Sequence, residues 1–190
     1  MSFPNNKRNS FRVTDHVHLS AIRRSEDDVV ELVEKFDDLR MQACLKTHFS
    51  HQKETRVPNL KVIKSRDSEI GAYLQYLESQ IHQLAQLISD KSVKKDRDRL
   101  EMVPVNLSAH GMRFCFEEPL EVGEHLELLI WLLPDELTVL VIAKVIRIEE
   151  EEGKVWVSVK FETIHEEDRE AIVRHVVRVQ QNEIREQKAG

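Results

Sequence analysis

Apolar and polar residues change their period along this chain, and each change predicts a change of structure. Val17, Leu19 and Ala21 alternate with His18 and Ser20, the period of a half-buried strand. From Arg24 the spacing lengthens. Val29, Leu32, Val33, Phe36, Leu39 and Ala43 recur at helical intervals, and Ser25-Glu26-Asp27-Asp28 supplies a cap with acid in the first turn. The pattern fades near Thr47, and residues 48–64, with Pro58 and Asn59, read as a loop or short turn. A second helix is predicted from about Asp67 to Asp90. In it Ile70, Leu74, Leu77, Ile81, Leu84 and Ile88 hold an a/d seam. The two apolar stripes together exceed what one hairpin of helices hides, which predicts a self-associating bundle.

Lys91 to Arg99 reads as a basic linker that ends the helical region. Beyond it the period is mostly two. Strands are predicted at Leu100–Val105, Met112–Phe116, His125–Leu132, Leu137–Glu149 and Lys154–Phe161, with turn signals at Glu118 to Gly123, Pro134-Asp135 and Glu150 to Gly153. With the Val17 strand these make six, enough for a small closed barrel. Thr163-Ile164-His165-Glu166 has the form of a capping box. Ile172, Val173, Val176, Val177 and Ile184 then give an amphipathic terminal helix, expected across one end of the barrel. The fold class is therefore mainly β with an α insert: a six-stranded barrel, a C-terminal helix and a long coiled-coil insertion after the first strand. Residues 1–23 and 99–190 form the barrel unit, and 24–98 the inserted oligomerisation segment.

Net charge of −6 argues against general nucleic-acid or anionic-lipid binding. The two cysteines, Cys44 and Cys115, have no metal-like spacing and fit a reducing compartment. The start of the chain lacks the apolar core of a signal peptide, and the longest apolar run, Leu128 to Leu133, is too short to span a bilayer. A cytoplasmic protein without membrane insertion is expected.

The candidate chemistry lies in two places. Asn106-Leu107-Ser108-Ala109-His110-Gly111 has the form N-x-S-x-x-G between two predicted strands. Asn and Ser favour turns, and Gly111 allows positive φ or close backbone approach. A strand-turn-strand corner is expected, with an amide and a hydroxyl facing outward. Arg8-Asn9-Ser10-Phe11-Arg12 is R-x-x-x-R on a polar arm, residues 1–12. From Met1 to Arg24, Lys7, Arg8, Arg12, Arg23 and Arg24 face Asp15 alone. Arginine forks onto phosphate oxygens or guanine edges and stacks on a base. A second R-x-x-x-R, Arg174 to Arg178, reads as a solvated helix face, as do Arg23, Lys94, Lys95 and Arg97 as solvated charge. Trp156 could stack on a guanine, but reads first as an inward core residue. His48 with His51, and His16 with His18, lack a third ligand, so no metal is expected. Glu149 to Glu152 reads as a solvated hairpin tip, which offers no pocket to separate carboxylate pKa values. No triad order, P-loop or dinucleotide glycine pattern is visible, so no catalytic residue, no cofactor and no enzyme is expected.

The two motifs, in this order and with a barrel following, resemble the PilZ domain, a bacterial receptor for cyclic di-GMP. The inserted heptads are similar to those of a tetrameric PilZ subgroup. The resemblance implies cyclic di-GMP as ligand, with Arg8 and Arg12 closing over it and Asn106, Ser108 and Gly111 beneath. It also implies a homo-oligomer, a tetramer favoured, through residues 25–90, and signalling to an unnamed protein partner by movement of the arm. Two rivals stand beside it. One is a PilZ-like scaffold that binds no nucleotide and docks motility or secretion machinery. The other is a coiled-coil nucleic-acid binder using Lys91 to Arg99, which the acidic net charge disfavours.

Overall fold

Val105 and Leu107, Met112 and Phe114, Leu126, Leu128 and Ile130, Val139 and Val141, Val157 and Val159 occupy alternate positions of successive strands, and all are buried in one cluster. Each such side chain contributes about 1.5–3 kcal/mol by leaving water. That inward set closes the sheet on itself. The computed structural model describes residues 11–44, 47–48, 59–97, 100, 102–135 and 137–189. Among these, six strands form an antiparallel barrel: β1 (Arg12–Arg24), β2 (Met102–Ser108), β3 (Gly111–Cys115), β4 (His125–Leu132), β5 (Leu137–Glu151) and β6 (Lys154–Ile164). They are ordered β1-β2-β3-β6-β5-β4 around the wall. β1 closes the ring, because Arg12 to His18 pair with β2 and His18 to Arg24 pair with β4.

Four helices carry labels: α1 (Glu26–Glu34), α2 (Phe36–Ala43), α3 (Ser68–Arg97) and α4 (Glu166–Ala189). α1 has the expected capping box: Ser25 Oγ accepts from the Asp28 amide at 3.2 Å, and Asp28 Oδ2 from the Ser25 amide at 3.1 Å. The single helix predicted through Ala43 breaks at Lys35, where φ is −101° and ψ 10°. The break separates α1 from α2, and Phe36 packs with Leu140 and Ile142 on the outer face of β5. β5 is thus apolar on both faces, which explains its unbroken apolar run.

α2 also carries Arg40, which is only 3% exposed. Its Nε donates to Asp168 Oδ2 at 3.1 Å, and its Nη2 donates to Asp168 Oδ1 and Glu167 Oε2, each at 2.8 Å. His48 Nδ1 lies 2.9 Å from the same Glu167 oxygen. Burial raises the Asp168 carboxyl, and the Arg40 fork offsets part of that rise. Burial also acts to raise Glu167, but hydrogen bonds from Arg40 and His48 outweigh it and hold this carboxyl below its ordinary range.

α3 runs to Arg97, past the expected stop at Asp90, so Lys91 to Arg97 is helix and not linker. Lysine and arginine are good helix formers, favoured near a helix C-terminus, and no glycine or proline interrupts them. Although residues 48–64 read from sequence as a loop or short turn, residues 59–66 are also helical. They approach α3 closely: a Cβ on Gly71 would lie 2.7 Å from Lys64 Cα. The heptad side chains Ile70, Leu74, Leu77, Ile81 and Leu84 are 37% to 59% exposed.

α4 packs against β1, β2 and β5, and Ala171, Ile172 and Val176 complete the core. The Thr163 capping box does not form. Thr163 and Ile164 instead pair with Ile142 and Val141 on β5, so the helix starts after His165, whose carbonyl accepts from the Asp168 and Arg169 amides. No described helix is long and apolar enough to cross a membrane.

Candidate ligand-binding groove

Inward Val13, Val105, Leu107, Met112, Phe114, Val157 and Val159 force their neighbours outward on the same stretch of wall. The ladder sets those neighbours side by side. Thr14 stands opposite Asn106, Asn106 opposite Arg113, Arg113 opposite Ser158, and Trp156 opposite Glu149. Together with Arg12, Pro104, Arg147 and Glu151 they line an open groove of about 400 Å³. This is the volume class of small-molecule sites.

Arg113 is the centre of the groove. Its guanidinium carbon lies 4.7 Å from the centre of the Trp156 ring. Its Nη2 donates to Glu151 Oε1 at 2.6 Å and lies 3.7 Å from Glu149 Oε2. The hydrogen bond to Glu151 raises the guanidinium pKa further. Arg147 Nη2 meets the other Glu149 oxygen at 2.7 Å. The Arg113 Nε is buried and makes no hydrogen bond among the described residues. By contrast, Arg12 and the Asn106 amide have no side-chain partner among the described residues.

The six residues of N-x-S-x-x-G divide between groove and scaffold. Asn106 and Ser108 both lie within β2, and only Ala109 and His110 make the turn. Asn106 opens into the groove. Ser108 is not open to solvent as expected: it is 1% exposed, and its Oγ donates to the Gly111 carbonyl at 3.0 Å. Gly111 does not use positive φ either. Its need is closeness, since a Cβ there would sit 2.3 Å from the Val159 carbonyl oxygen. The turn is held from two more sides. Arg169 Nη1 donates to the Ala109 carbonyl at 2.8 Å, and the Phe161 amide to the His110 carbonyl at 2.9 Å.

Arg12 belongs to β1, opposite Ser108, and not to a loose arm. Arg8 and His51 lie outside the described residues, as do the side chains of Lys94, Lys95 and Arg97. Trp156 is not a core residue; it is half-buried on the outer wall under Arg113. The second R-x-x-x-R is no plain solvated face. Arg178 bonds Asp135, donates to the Leu133 carbonyl at 2.8 Å and contacts His175 Nδ1 at 2.9 Å, while His175 meets Asp15 at 2.6 Å. Arg23 pairs with Glu124. Sequence reasoning missed Arg113 and Arg147. The signal for Arg113 was its place between Met112 and Phe114, two inward positions.

A family model for the PilZ domain matches residues 88–178. That stretch of the chain is PilZ-like. The match begins late in α3 and takes in β2 to β6 and most of α4. β1, with Arg12, lies before the insertion and completes the barrel from outside the matched range. Among solved structures, a pathogenic protein from Xanthomonas campestris, described as a tetrameric PilZ domain self-assembled via an unusual helical bundle, aligns with a TM-score of 0.56 at 14% identity. It covers 93% of this chain and 91% of that one. The likeness is one of fold, insertion included. The Bacillus subtilis inhibitor of motility aligns at TM-score 0.47 and 14% identity, over 93% of this chain and 52% of that one. Escherichia coli YcgR in complex with c-di-GMP aligns at TM-score 0.38 and 18% identity, over 47% and 39%. A comparison with curated protein sequences found no significant match.

Proposed function

We propose that this protein is a cyclic di-GMP receptor whose ligand lies in the groove beside Arg12 and Asn106. One observation carries the reading: the described arginine of the first motif and the asparagine of the second line one groove, both without a side-chain partner among the described residues. The PilZ domain supports the ligand class. Arg12 suits a phosphate or guanine edge, Asn106 a base edge, and Trp156 offers an aromatic face to a purine. Arg8 lies four residues before Arg12 and joins the proposal as the second arm arginine; Ser108 and Gly111 join it as the scaffold that shapes the corner. Binding moves the arm, and an unnamed cytoplasmic partner senses the change.

The exposed α3 seam supports a homo-oligomer, with a tetramer as the favoured order, assembled by a helical bundle as the Xanthomonas campestris protein is described as doing. Titration calorimetry with cyclic di-GMP tests the receptor. Arg12→Ala weakens binding by a factor of about 10 or more, the cost of one charge-assisted hydrogen bond. Equal affinity in that variant removes Arg12 from the site, and no binding by the wild type removes the receptor reading. A second reading, a scaffold that binds no nucleotide, draws on the carboxylates that already engage Arg113. A melting temperature that cyclic di-GMP leaves unmoved favours it, because a ligand of the native state must stabilise that state.

A further inference from the structure

We propose that Glu149 and Glu151 are affinity-setting residues of the groove: they hold Arg113 and Arg147 in the place of ligand phosphate, and the ligand binds by displacing them. The inference rests on the cyclic di-GMP reading of the same groove.

The charges of the wall state the problem. Three arginines, Arg12, Arg113 and Arg147, face two glutamates, Glu149 and Glu151, leaving one net positive charge. A cyclic dinucleotide brings two phosphates. With the carboxylates in place, the ligand meets less positive charge than it carries. With both turned away, three guanidinium groups face two phosphates. The same chemistry thus decides whether the groove attracts or resists a dianion.

The geometry places the carboxylates as competitors. Glu151 Oε1 takes the Arg113 Nη2 hydrogen at 2.6 Å, and Glu149 bridges Arg113 and Arg147 at 3.7 and 2.7 Å. These are the outer guanidinium donors a phosphate oxygen would use. Trp156 also contacts Arg113, whose guanidinium carbon lies 4.7 Å from the ring centre, so Arg113 keeps an anchor when Glu151 leaves. The exit is short. Glu151 is the last residue of β5, its side chain is 51% exposed, and the hairpin turn follows at once, with Glu152 at φ 52° and Gly153 at φ 74°. Releasing it into water costs little, since an exposed pair of this kind contributes a factor of about five or less.

Glu150 supplies the control. It lies between the two competitors on β5, is exposed, and does not line the groove. The test is calorimetric titration of the full chain with cyclic di-GMP in four forms: wild type, Glu151→Gln, the Glu149→Gln/Glu151→Gln double variant, and Glu150→Gln. The expected result is binding about fivefold tighter for Glu151→Gln and about tenfold or more for the double variant, with Glu150→Gln equal to wild type. Binding by the double variant alone also supports the proposal, as complete occlusion. Wild-type binding that Glu151→Gln and the double variant leave equal or weaken overturns this inference and leaves the receptor reading standing. Equal tightening by Glu150→Gln overturns it too, by showing a general charge effect. Binding by none of the four forms, each melting as wild type does, overturns the receptor reading and this inference with it.

Discussion

The Arg113 guanidinium carbon lies 4.7 Å from the centre of the Trp156 ring, on the outside of a barrel whose core is an apolar cluster. Neither residue belongs to the two motifs that mark the site. Both reach it because alternate positions of β3 and β6 have no room inward.

This placement separates binding from stability at Trp156. Trp156→Ala is expected to weaken cyclic di-GMP binding by roughly 1–3 kcal/mol, the range for loss of one aromatic stacking face. Because the ring is outside the core, the melting temperature of the ligand-free protein changes little. Calorimetry and thermal denaturation on one sample check both halves. A large loss of stability with unchanged affinity would return Trp156 to a structural role.

Asn106 and Ser108 are expected to part company in the same way. Asn106→Ala lowers affinity and leaves folding nearly intact, since its amide has no partner to lose among the described residues. Ser108→Ala removes a buried donor from the Gly111 carbonyl and destabilises by about 1 kcal/mol. Urea denaturation and calorimetry, run side by side, read the difference.

Gly111→Ala is expected to destabilise by about 1–3 kcal/mol, the usual cost of forcing atoms into a filled space. The clash is with a backbone carbonyl, Val159 O at 2.3 Å, which has no side-chain rotation by which to yield. Chemical denaturation measures it. An unchanged midpoint would mean that β3 and β6 separate at no cost.

Arg40 joins the inserted helices to α4. Arg40→Ala leaves buried Asp168 without its cation, and Glu167 with His48 only, and is expected to cost about 3–5 kcal/mol. Arg40→Met combined with Asp168→Asn and Glu167→Gln is expected to cost less, because no buried charge is left alone. Denaturant midpoints of the two variants decide the order.

Acid is expected to weaken the fold through Glu167 and Asp15. Burial acts to raise both carboxyls, but hydrogen bonds and nearby positive charge outweigh it and depress both. A depressed carboxyl contributes stability above its unfolded pKa, 4.5 for Glu167 and 3.8 for Asp15, and loses it as pH falls through the folded value. Asp168, raised by burial, acts in the opposite sense over the same range. Melting temperature is therefore expected to hold from pH 7 to about 5 and to fall below about 4.5. Glu167→Gln flattens part of that fall.

Period alone determined a good deal of this protein. The two-residue alternation after Leu100 gave the strands, and their number gave a barrel. The three-four spacing of Ile70 to Leu84 gave a helix whose apolar seam is exposed on its own chain. Those signals are local, carried by neighbours in sequence, and a strand or helix cannot hide them. Only the tertiary structure decided which outward residues share a groove. Arg12, Asn106, Arg113 and Trp156 come from four strands, and their meeting depends on ladder registers that no single stretch records. It also decided that Ser108 builds the corner while Asn106 faces the groove, and that Trp156 stays outside. A tryptophan reads as core by its apolar area, but which way it points follows from the parity of a strand whose ends are set by its partners.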